Sequence, residues 1–345
     1  MSQAVLTGTL PMHPFGTTDM KITRIGFGAW AVGGGGWAFG WGAQNDAASI
    51  AAIRHAVSKG VNWVDTAAVY GLGHSEEIVA AALVDIPPAD RPYVFTKCGL
   101  VWDERHPSDP PRRVGSPDSI RREIEHSLRR LKVERIDLYQ MHWPAEDGTQ
   151  LDRYWETLLA LKREGKARAV GLSNHGADSL RRAEAIGHVD TLQPPFSAIS
   201  RDAAATEIPW CRDNGTGVIV YSPMQSGLLT GAFTEARASR LSPDDWRSRS
   251  PDFTGEGLRR NLKVAEALRP IAARHETTPA AVAVAWTLAW PGVTGAIVGA
   301  RDAVQVDGWL DAGTLELTDS DLAEIATAIE KNGAGSGPTM PDTVG

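Results

Sequence analysis

The stretch NWVDTAAVYGLGHSE, residues 62–76, contains a strand, a loop and the start of a helix in direct succession. Its apolar run ends at Asp65, the loop carries Tyr70, and apolar residues at helical spacing follow from about residue 75. Apolar strands that alternate with helices are typical of parallel sheets buried on both faces. The stretch therefore predicts one strand-loop-helix unit with a polar group at the end of its strand.

The same alternation recurs along the chain and predicts eight strands separated by helices. Several helices have clear start signals, for example Ser116 followed by Pro117. Eight parallel strands can close into a barrel, so we expect an α/β fold of the (β/α)8 TIM type, with long loops at its C-terminal face and extra C-terminal helices. The predicted strands span residues 22–27, 61–65, 93–97, 136–142, 167–173, 191–196, 218–222 and 296–299.

An open, doubly wound sheet is the alternative fold, and the number of strands alone favours the barrel only modestly. Polar residues at the predicted strand ends favour it more strongly, because a closed barrel gathers these ends around one pocket. The sequence shows no repeat or linker, so we expect one barrel domain over residues 1–332 and a mobile tail over residues 333–345. The polar strand-end residues are Asp65, Lys97, His142, Ser173, Asn174, Gln193, Tyr221 and Ser222.

The composition disfavours several classes of protein. With 345 residues, 42% of them hydrophobic and 22% charged, the chain can build a large core. A net charge of -7 argues against a broad basic surface for nucleic acid or anionic membranes. The sequence has no signal-peptide pattern and no apolar run of membrane-spanning length. We therefore expect a cytoplasmic protein without nucleic-acid or membrane partners; its oligomeric state is open.

Neither a Rossmann loop nor a metal site is indicated. Residues 26–31, GFGAWA, fit the GxGxxA pattern that binds dinucleotides at a helix start. Four glycines follow at 33–36, and a stable helix does not begin on such a run, so the Rossmann reading is disfavoured. The nine histidines lack metal-ligand spacing, and we expect no bound metal.

Asp65, Tyr70, Lys97 and His142 form a set suited to protonating a carbonyl oxygen. A phenol with a pKa of about 10 is a poor acid at neutral pH. An ammonium about 4 Å from its oxygen would stabilise the phenolate by roughly 4 kcal/mol at an effective dielectric of about 20, and so lower this pKa. A carboxylate would orient the ammonium, and a neutral imidazole would hydrogen-bond the carbonyl oxygen. Each residue also has a structural explanation, such as a turn cap or a packed loop side chain, so the joint arrangement carries the argument.

Six stretches resemble the aldo-keto reductase family, and the similarity extends over residues 20–315. The resemblance implies a (β/α)8 barrel that binds a nicotinamide cofactor in extended form without a Rossmann domain. It also implies that Tyr70 is the general acid/base, that Lys97 and Asp65 tune it, and that His142 positions the substrate carbonyl. The stretches are GFGAW (26–30), NWVDTAAVYGLGHSE (62–76), VFTKC (94–98), IDLYQMHWP (136–144), GLSN (171–174) and VIVYSPMQSGLLTG (218–231).

The same resemblance implies a set of cofactor contacts. Ser173, Asn174 and Gln193 would hydrogen-bond the nicotinamide carboxamide, and Tyr221 would stack on its ring, with helix capping and core packing as the alternatives. Arg301 would pair with a 2′-phosphate, for which a guanidinium fork is suited, so NADP(H) is expected and NAD(H) is the alternative. The other implied contacts are Gly28, Ala29, Trp30, Ser222, Pro223, Met224, Gln225, Gly227, Leu228, Gly299 and Gln305.

The chain is rich in tryptophan, with 12 Trp against 5 Tyr and 7 Phe. Several of these tryptophans lie at or just after the strand ends that carry the proton-donor set. They predict an aromatic wall that binds substrate by contact area and stacking. We expect this wall to include Trp30, Trp37, Trp102 and Trp143.

These observations predict an NAD(P)H-dependent oxidoreductase that transfers hydride reversibly between nicotinamide and a small carbonyl or alcohol. An NAD-dependent sugar or aldose dehydrogenase at the same site is one alternative, and a cofactor-sensing regulatory subunit is another. The physiological substrate cannot be read from the sequence, because specificity resides in long loops such as residues 31–44, 99–115 and 225–255.

Overall fold

The computed structural model describes residues 10–242 and 245–341, and its central feature is a closed barrel. The strands are β1 (Met12–Pro14), β2 (Lys21–Thr23), β3 (Ile25–Gly28), β4 (Trp63–Asp65), β5 (Tyr93–Cys98), β6 (Leu100–Val101), β7 (Arg112–Arg113), β8 (Ile136–Met141), β9 (Ala167–Ser173), β10 (Thr191–Gln193), β11 (Gly217–Val220) and β12 (Val293–Gly299). The barrel order is β10-β11-β12-β3-β4-β5-β8-β9, and each neighbouring pair is parallel. The predicted (β/α)8 barrel is confirmed.

Helices alternate with the barrel strands and bury one face each. In α3 the apolar residues Ile120, Ile124 and Leu131 share one face and are all buried. Ser116 occupies the N-cap of this helix, as expected, although its side chain makes no capping hydrogen bond. The helices are α1 (Asp46–Ser58), α2 (His74–Leu83), α3 (Pro117–Leu131), α4 (Leu151–Arg163), α5 (Ala177–Glu184), α6 (Glu207–Asn214), α7 (Glu235–Ala238), α8 (Gly255–Arg274), α9 (Pro279–Leu288), α10 (Ala303–Leu310) and α11 (Asp319–Asn332).

The predicted first strand, residues 22–27, is two strands in the structure. Its first part belongs to β2, which pairs antiparallel with β1, and its second part is the barrel strand β3. Phe15, between β1 and β2, and Ile22 in β2 pack against Trp63 and other side chains of the barrel interior. The N-terminal hairpin therefore closes the end of the barrel opposite the strand ends that carry the polar residues.

The local sequence explains how strands β10 and β3 end. Strand β10 stops at Gln193, earlier than predicted, because Pro194 and Pro195 have no N–H to donate to a neighbouring strand. After β3 the chain enters a short 3-10 turn, Ala31–Gly33, and no helix begins there. This agrees with the absence of a Rossmann loop at the glycine-rich stretch.

The end of the chain follows α11 and contacts the barrel. The guanidinium of Arg201 is buried and donates to the backbone carbonyls of Ala334 at 3.0 Å and Pro338 at 2.9 Å. These contacts hold the first part of the expected tail in this structure, while residues 342–345 lie outside the described residues. Mobility of the tail stays a prediction. Within the described ranges, no helix has the length and apolar character needed to cross a membrane.

Candidate active site

A cleft of about 1310 Å³ opens at the C-terminal ends of the barrel strands, where parallel barrels carry their sites. Most of the predicted site residues line it. Lys97, Trp102, Gln225 and Leu228 do not. The predicted residues that line the cleft are Gly28, Ala29, Trp30, Trp37, Asp65, Tyr70, His142, Trp143, Ser173, Asn174, Gln193, Tyr221, Ser222, Pro223, Met224, Gly227, Gly299, Arg301 and Gln305.

Lys97 and Asp65 form a buried ion pair beneath the cleft. Strands β4 and β5 are neighbours, which brings the two side chains together. The Lys97 ammonium donates to Asp65 Oδ1 at 2.6 Å and to the Thr66 carbonyl at 2.8 Å. The second carboxylate oxygen of Asp65 accepts a hydrogen bond from the Gln193 amide at 2.9 Å. Both charged groups are therefore fixed in position and hydrogen-bonded.

Tyr70 lies above this pair in a 3-10 turn that follows β4. The turn requires glycine at position 71, where φ is 60° and a Cβ would lie 2.2 Å from the Gly33 carbonyl oxygen. The Lys97 ammonium is 5.2 Å from the centroid of the Tyr70 ring. The His142 ring meets the same tyrosine edge-on, with centroids 5.7 Å apart. The structure thus brings all four predicted catalytic residues together.

Burial dominates the electrostatics of this group. It raises the pKa of Tyr70 well above its ordinary value, and the Asp65 carboxylate adds to the shift. The net lowering of this pKa expected from Lys97 is not observed, because burial and Asp65 outweigh the ammonium, which makes its short contacts with Asp65 and Thr66. Burial, and then the charge of Lys97, lower the pKa of His142 well below its ordinary value. At neutral pH the phenol keeps its proton and the imidazole is uncharged.

Two opposing effects act on the pKa values of the ion pair. Burial raises the pKa of Asp65 and lowers that of Lys97, while the short contact between them opposes both shifts. The contact and the additional hydrogen bonds from Gln193 and to Thr66 favour the charged forms. We therefore treat the pair as charged.

A second polar group lines the cleft beside Tyr70. The Tyr221 hydroxyl donates to Asn174 Oδ1 at 2.7 Å, and the Asn174 amide donates to the His142 carbonyl at 2.9 Å. Ser173 Oγ donates to the Gln193 carbonyl at 2.9 Å. Asn174 adopts a left-handed backbone conformation, with φ at 61°, which asparagine tolerates better than most residues. These bonds join the ends of four strands into one rigid polar surface.

Comparisons with known proteins match this architecture. The aldo/keto reductase family matches residues 24–330. The chain belongs to the aldo/keto reductase family. It is accordingly an oxidoreductase.

Individual relatives of this reductase cover nearly its whole length. An NADH-specific methylglyoxal reductase of Escherichia coli (strain K12) is 35% identical over 332 residues, which is 92% of this chain and 99% of that protein. The aldo-keto reductase YhdN of Bacillus subtilis (strain 168) is 32% identical over 329 residues, 95% of this chain and 94% of that one. A solved structure of a glycerol dehydrogenase from Gluconobacter oxydans is 32% identical, with a TM-score of 0.84, and the match covers 95% of this chain and 97% of that chain.

The loop after β11 forms the middle of the cleft. Ser222 and Gly227 line it and both have positive φ angles, of 56° and 93°. The Gln225 side chain is turned elsewhere: it accepts from Ser197 Oγ at 2.8 Å and donates to Asp252 at 2.9 Å. Leu228 is fully buried. The structure therefore does not bring these two predicted contact residues into the cleft.

Arg301 lines the far end of the cleft, but its guanidinium is engaged by the loop after β3. Arg301 Nε donates to Gln44 Oε1 at 2.6 Å, and Nη2 donates to the Ala43 carbonyl. The backbone N–H of Arg301 donates to Gln305 Oε1 at 3.0 Å. In this structure the Nε and Nη2 groups of Arg301 are therefore hydrogen-bonded to other parts of the protein.

Tryptophans form one wall of the reductase cleft. The Trp30 ring stacks on the Tyr70 ring with centroids 6.1 Å apart, and Trp37 lies 6.4 Å from the same ring. Trp143 lines another part of the cleft. Trp102 packs against the cluster around Tyr70 without lining the cleft. Three of the four tryptophans expected at the substrate wall thus border the cleft.

The structure brings further residues to the site. Trp41 lines the cleft in the loop after β3, and Trp246 stacks behind Trp30 at 6.4 Å. The Arg113 guanidinium covers the Trp143 ring at 4.5 Å. In the sequence, the signal for these residues was the presence of aromatic side chains in otherwise polar loops. Loop conformation decides which of these side chains meet. Four arginines also line the cleft: Arg112, Arg113, Arg237 and Arg247.

No metal site accompanies these groups. In the part of the chain that the structure describes, no cluster of three or more His, Cys, Asp or Glu side chains is arranged to hold a metal ion.

Proposed function

We propose that this reductase reduces a small carbonyl compound with Tyr70 as the proton donor to the carbonyl oxygen. The observation that carries the proposal is the meeting of Tyr70, His142 and the buried Lys97–Asp65 pair at one cleft. A reduced nicotinamide cofactor, when bound, supplies the hydride. The protein groups supply the proton and stabilise the charge that develops on oxygen.

The two residues nearest the carbonyl oxygen have different tasks. As the carbonyl carbon becomes saturated, its oxygen becomes far more basic than a phenolate, so the Tyr70 hydroxyl gives up its proton. The raised pKa of Tyr70 keeps that proton in place until then. The uncharged His142 ring has one N–H, which can donate a second hydrogen bond to the same oxygen. The ammonium of Lys97 stabilises the phenolate that remains.

The residues of the cleft fit a long dinucleotide. One cavity extends from Tyr70 past Tyr221 and the loop after β11 to Arg301. The side-chain amides of Asn174 and Gln193 and the Ser173 hydroxyl line this cavity and would hydrogen-bond a carboxamide, and the Tyr221 ring offers a flat face. In the middle of the cleft the cavity is open above Gly227, where a Cβ would meet nothing within 4 Å. These residues would hold the cofactor.

We propose NADH as the preferred coenzyme, in place of the NADP(H) expected from the sequence. Arg301, the residue expected to bind a 2′-phosphate, already donates to Gln44 and Ala43. The similarity to a reductase described as NADH-specific supports the same choice. A cytoplasmic location stays a prediction.

Alcohol oxidation is the reverse of the same reaction, and the similarity to a glycerol dehydrogenase supports testing it. Oxidation needs the phenolate form of Tyr70 as a base, whereas burial raises the pKa of this phenol. Reduction is therefore the favoured direction near neutral pH, and oxidation gains from alkaline pH. The wall of Trp30, Trp37 and Trp143 would contact the substrate.

The variant Tyr70→Phe tests the proposal. It removes the proton donor and keeps the ring, so we expect turnover to fall by about 10²–10⁴-fold while NADH binding, followed by tryptophan fluorescence, persists. Methylglyoxal and glycerol are suitable probes for the two directions.

Tyr93→Phe is the matched control, because Tyr93 lies at the start of β5 with the Arg168 guanidinium 5.2 Å above its ring, away from the cleft. Wild-type turnover in Tyr70→Phe would contradict the proposal, and so would an equal loss in both variants.

A further inference from the structure

Gln44 and Arg301 form a reciprocal pair across the loop after β3. The Gln44 amide donates to the Arg301 carbonyl at 2.8 Å, while its oxygen accepts from Arg301 Nε at 2.6 Å. The amide also donates to Ser49 Oγ at 3.0 Å, and Ser49 is buried in α1. The adjacent Ala43 carbonyl accepts from Arg301 Nη2. Gln44 is thus fixed by three hydrogen bonds and holds one edge of the guanidinium.

The groups that are bonded to this edge of Arg301 do not line the main cleft. Gln44 and Ala43 line a second cavity, of about 680 Å³, which shares only Trp37 and Trp41 with the main cleft. The Nε and Nη2 groups form one of the two edges through which a guanidinium can bind a phosphate by two parallel hydrogen bonds. In this structure both groups donate to the loop instead.

The segment from β12 to α10 brings one cationic side chain to the cleft. Among the cleft-lining residues from Ile297 to Trp309, all of which the structure describes, Arg301 is the one cationic side chain. The neighbouring Asp302 is negatively charged and accepts from the Gln305 backbone and side chain at 2.9 and 3.0 Å. Within this segment, Arg301 is therefore the group that can pair with a 2′-phosphate.

We infer that Gln44 is a specificity-determining residue, which holds the Arg301 fork away from a 2′-phosphate and so favours NADH over NADPH. The inference rests on the proposed function, since it concerns the cofactor of that site. NADH carries only a 2′-hydroxyl and binds with the pair intact. NADPH gains the two charge-assisted hydrogen bonds of the Nε–Nη2 edge only when Arg301 leaves Gln44 and Ala43.

Gln44→Ala tests this inference by releasing the fork. The dissociation constants of NADH and NADPH are measured by quenching of tryptophan fluorescence, without substrate, and the melting temperature checks folding. We expect wild type to bind NADH more tightly. In Gln44→Ala, NADPH should bind about tenfold more tightly, and the dissociation constant of NADH should be unchanged. Gln44→Glu, which adds a negative charge beside Arg301, should weaken NADPH further and provides a second test if the alanine variant does not fold.

Two controls assign the effect to Arg301. The tighter binding of NADPH should disappear in the double variant Gln44→Ala with Arg301→Ala. Gln150→Ala, which changes a glutamine bonded to the Gly148 carbonyl outside the cleft, should leave both constants unchanged. Unchanged or weaker NADPH binding in Gln44→Ala would overturn the inference, as would tighter binding of NADPH than NADH by wild type. Failure of wild type to bind either dinucleotide would instead overturn the proposed function.

Discussion

Lys97 lies one residue before the end of β5, its ammonium is removed from water, and protein groups balance its charge. Its exposed fraction is 1%, that of Asp65 is 2%, and the two are 2.6 Å apart. Breaking such a pair by removing one partner leaves an uncompensated buried charge, which is more costly than removing both. The pair therefore contributes to stability as well as to the position of the catalytic ammonium.

Lys97→Ala should lower the free energy of unfolding by about 3–5 kcal/mol, because Asp65 loses its partner. The double variant Lys97→Met with Asp65→Asn removes both charges and should recover most of that stability while turnover stays low. Urea denaturation and steady-state turnover measure the two effects separately. A double variant as unstable as the single one would contradict this account of the pair.

Glu123 is a half-buried carboxyl group on α3, which packs behind strand β5. It accepts from the backbone N–H of Gly99 at 2.8 Å and from Ser119 Oγ at 2.9 Å. Burial raises the pKa of Glu123 from 4.5 to about 7. Between these pH values the folded protein holds a proton that the unfolded chain has released, so stability falls as pH rises.

Glu123→Gln should remove this dependence. In wild type the pKa shift from 4.5 to about 7 corresponds to a fall in unfolding free energy of about 3 kcal/mol across that interval. In the variant, the unfolding free energy should fall by about 3 kcal/mol less across the same interval. Urea denaturation at several pH values measures this difference. Glu134→Gln, at an exposed residue, is the control and should keep the wild-type slope. Equal slopes in wild type and Glu123→Gln would exclude the assignment.

At the scale of elements, an aromatic layer joins the loop after β3 to the 3-10 turn Trp246–Arg249. Trp30 lies between two rings, with Tyr70 at 6.1 Å and Trp246 at 6.4 Å, both stacked. Trp41 meets Trp246 edge-on at 6.2 Å, and the Arg247 guanidinium lies 4.7 Å from the Trp41 ring. The two loops therefore support each other, and Trp30 keeps its place beside the catalytic tyrosine.

Trp246→Ala should loosen Trp30 without touching the proton-donor set. A stacked aromatic pair contributes about 0.5–1.5 kcal/mol, so we expect the KM for a carbonyl substrate to rise by about two- to tenfold while kcat changes little. Trp210→Ala, on the remote helix α6, is the matched control. Equal KM values in wild type and Trp246→Ala would show that the layer does not support the substrate wall.

At the scale of the whole molecule, the barrel closes around large interior side chains. Trp63 is fully buried, and its indole N–H donates to the Thr23 carbonyl at 2.9 Å. Its ring lies against Gly26, where a Cβ would come within 2.2 Å of it. Glycine at 26 is thus required by the close approach of a ring to the backbone of β3.

Gly26→Ala should destabilise the barrel by about 3 kcal/mol or more, because the interior has no room for the added carbon. Gly308→Ala is the control: a Cβ there meets nothing within 4 Å, and α10 should gain about 0.5–1 kcal/mol from a better helix former. Thermal unfolding measures both. Similar melting temperatures for the two variants would contradict the packing account.

The barrel and the meeting of Asp65, Tyr70, Lys97 and His142 at one cleft could be predicted from the sequence because both depend on local patterns. Residues 62–76 show the strand, the loop and the helix in order, and parallel strands bring their polar ends together without further information. The Arg301–Gln44 pair could not be predicted in this way, because it joins residues far apart in sequence through loop conformation. The engagement of the Lys97 ammonium by the Thr66 carbonyl likewise depends on side-chain packing that no spacing encodes.

The central claim is that carbonyl reduction uses a hydride from nicotinamide and a proton from Tyr70. The most direct measurement is a reduction of methylglyoxal with NADH deuterated at both C4 positions, with the product analysed by mass spectrometry and the rate compared between wild type and Tyr70→Phe. The account predicts one deuterium on the new carbinol carbon in wild type, and almost no product from the variant in the same time. Product without deuterium, or labelled product formed by Tyr70→Phe at the wild-type rate, would contradict it.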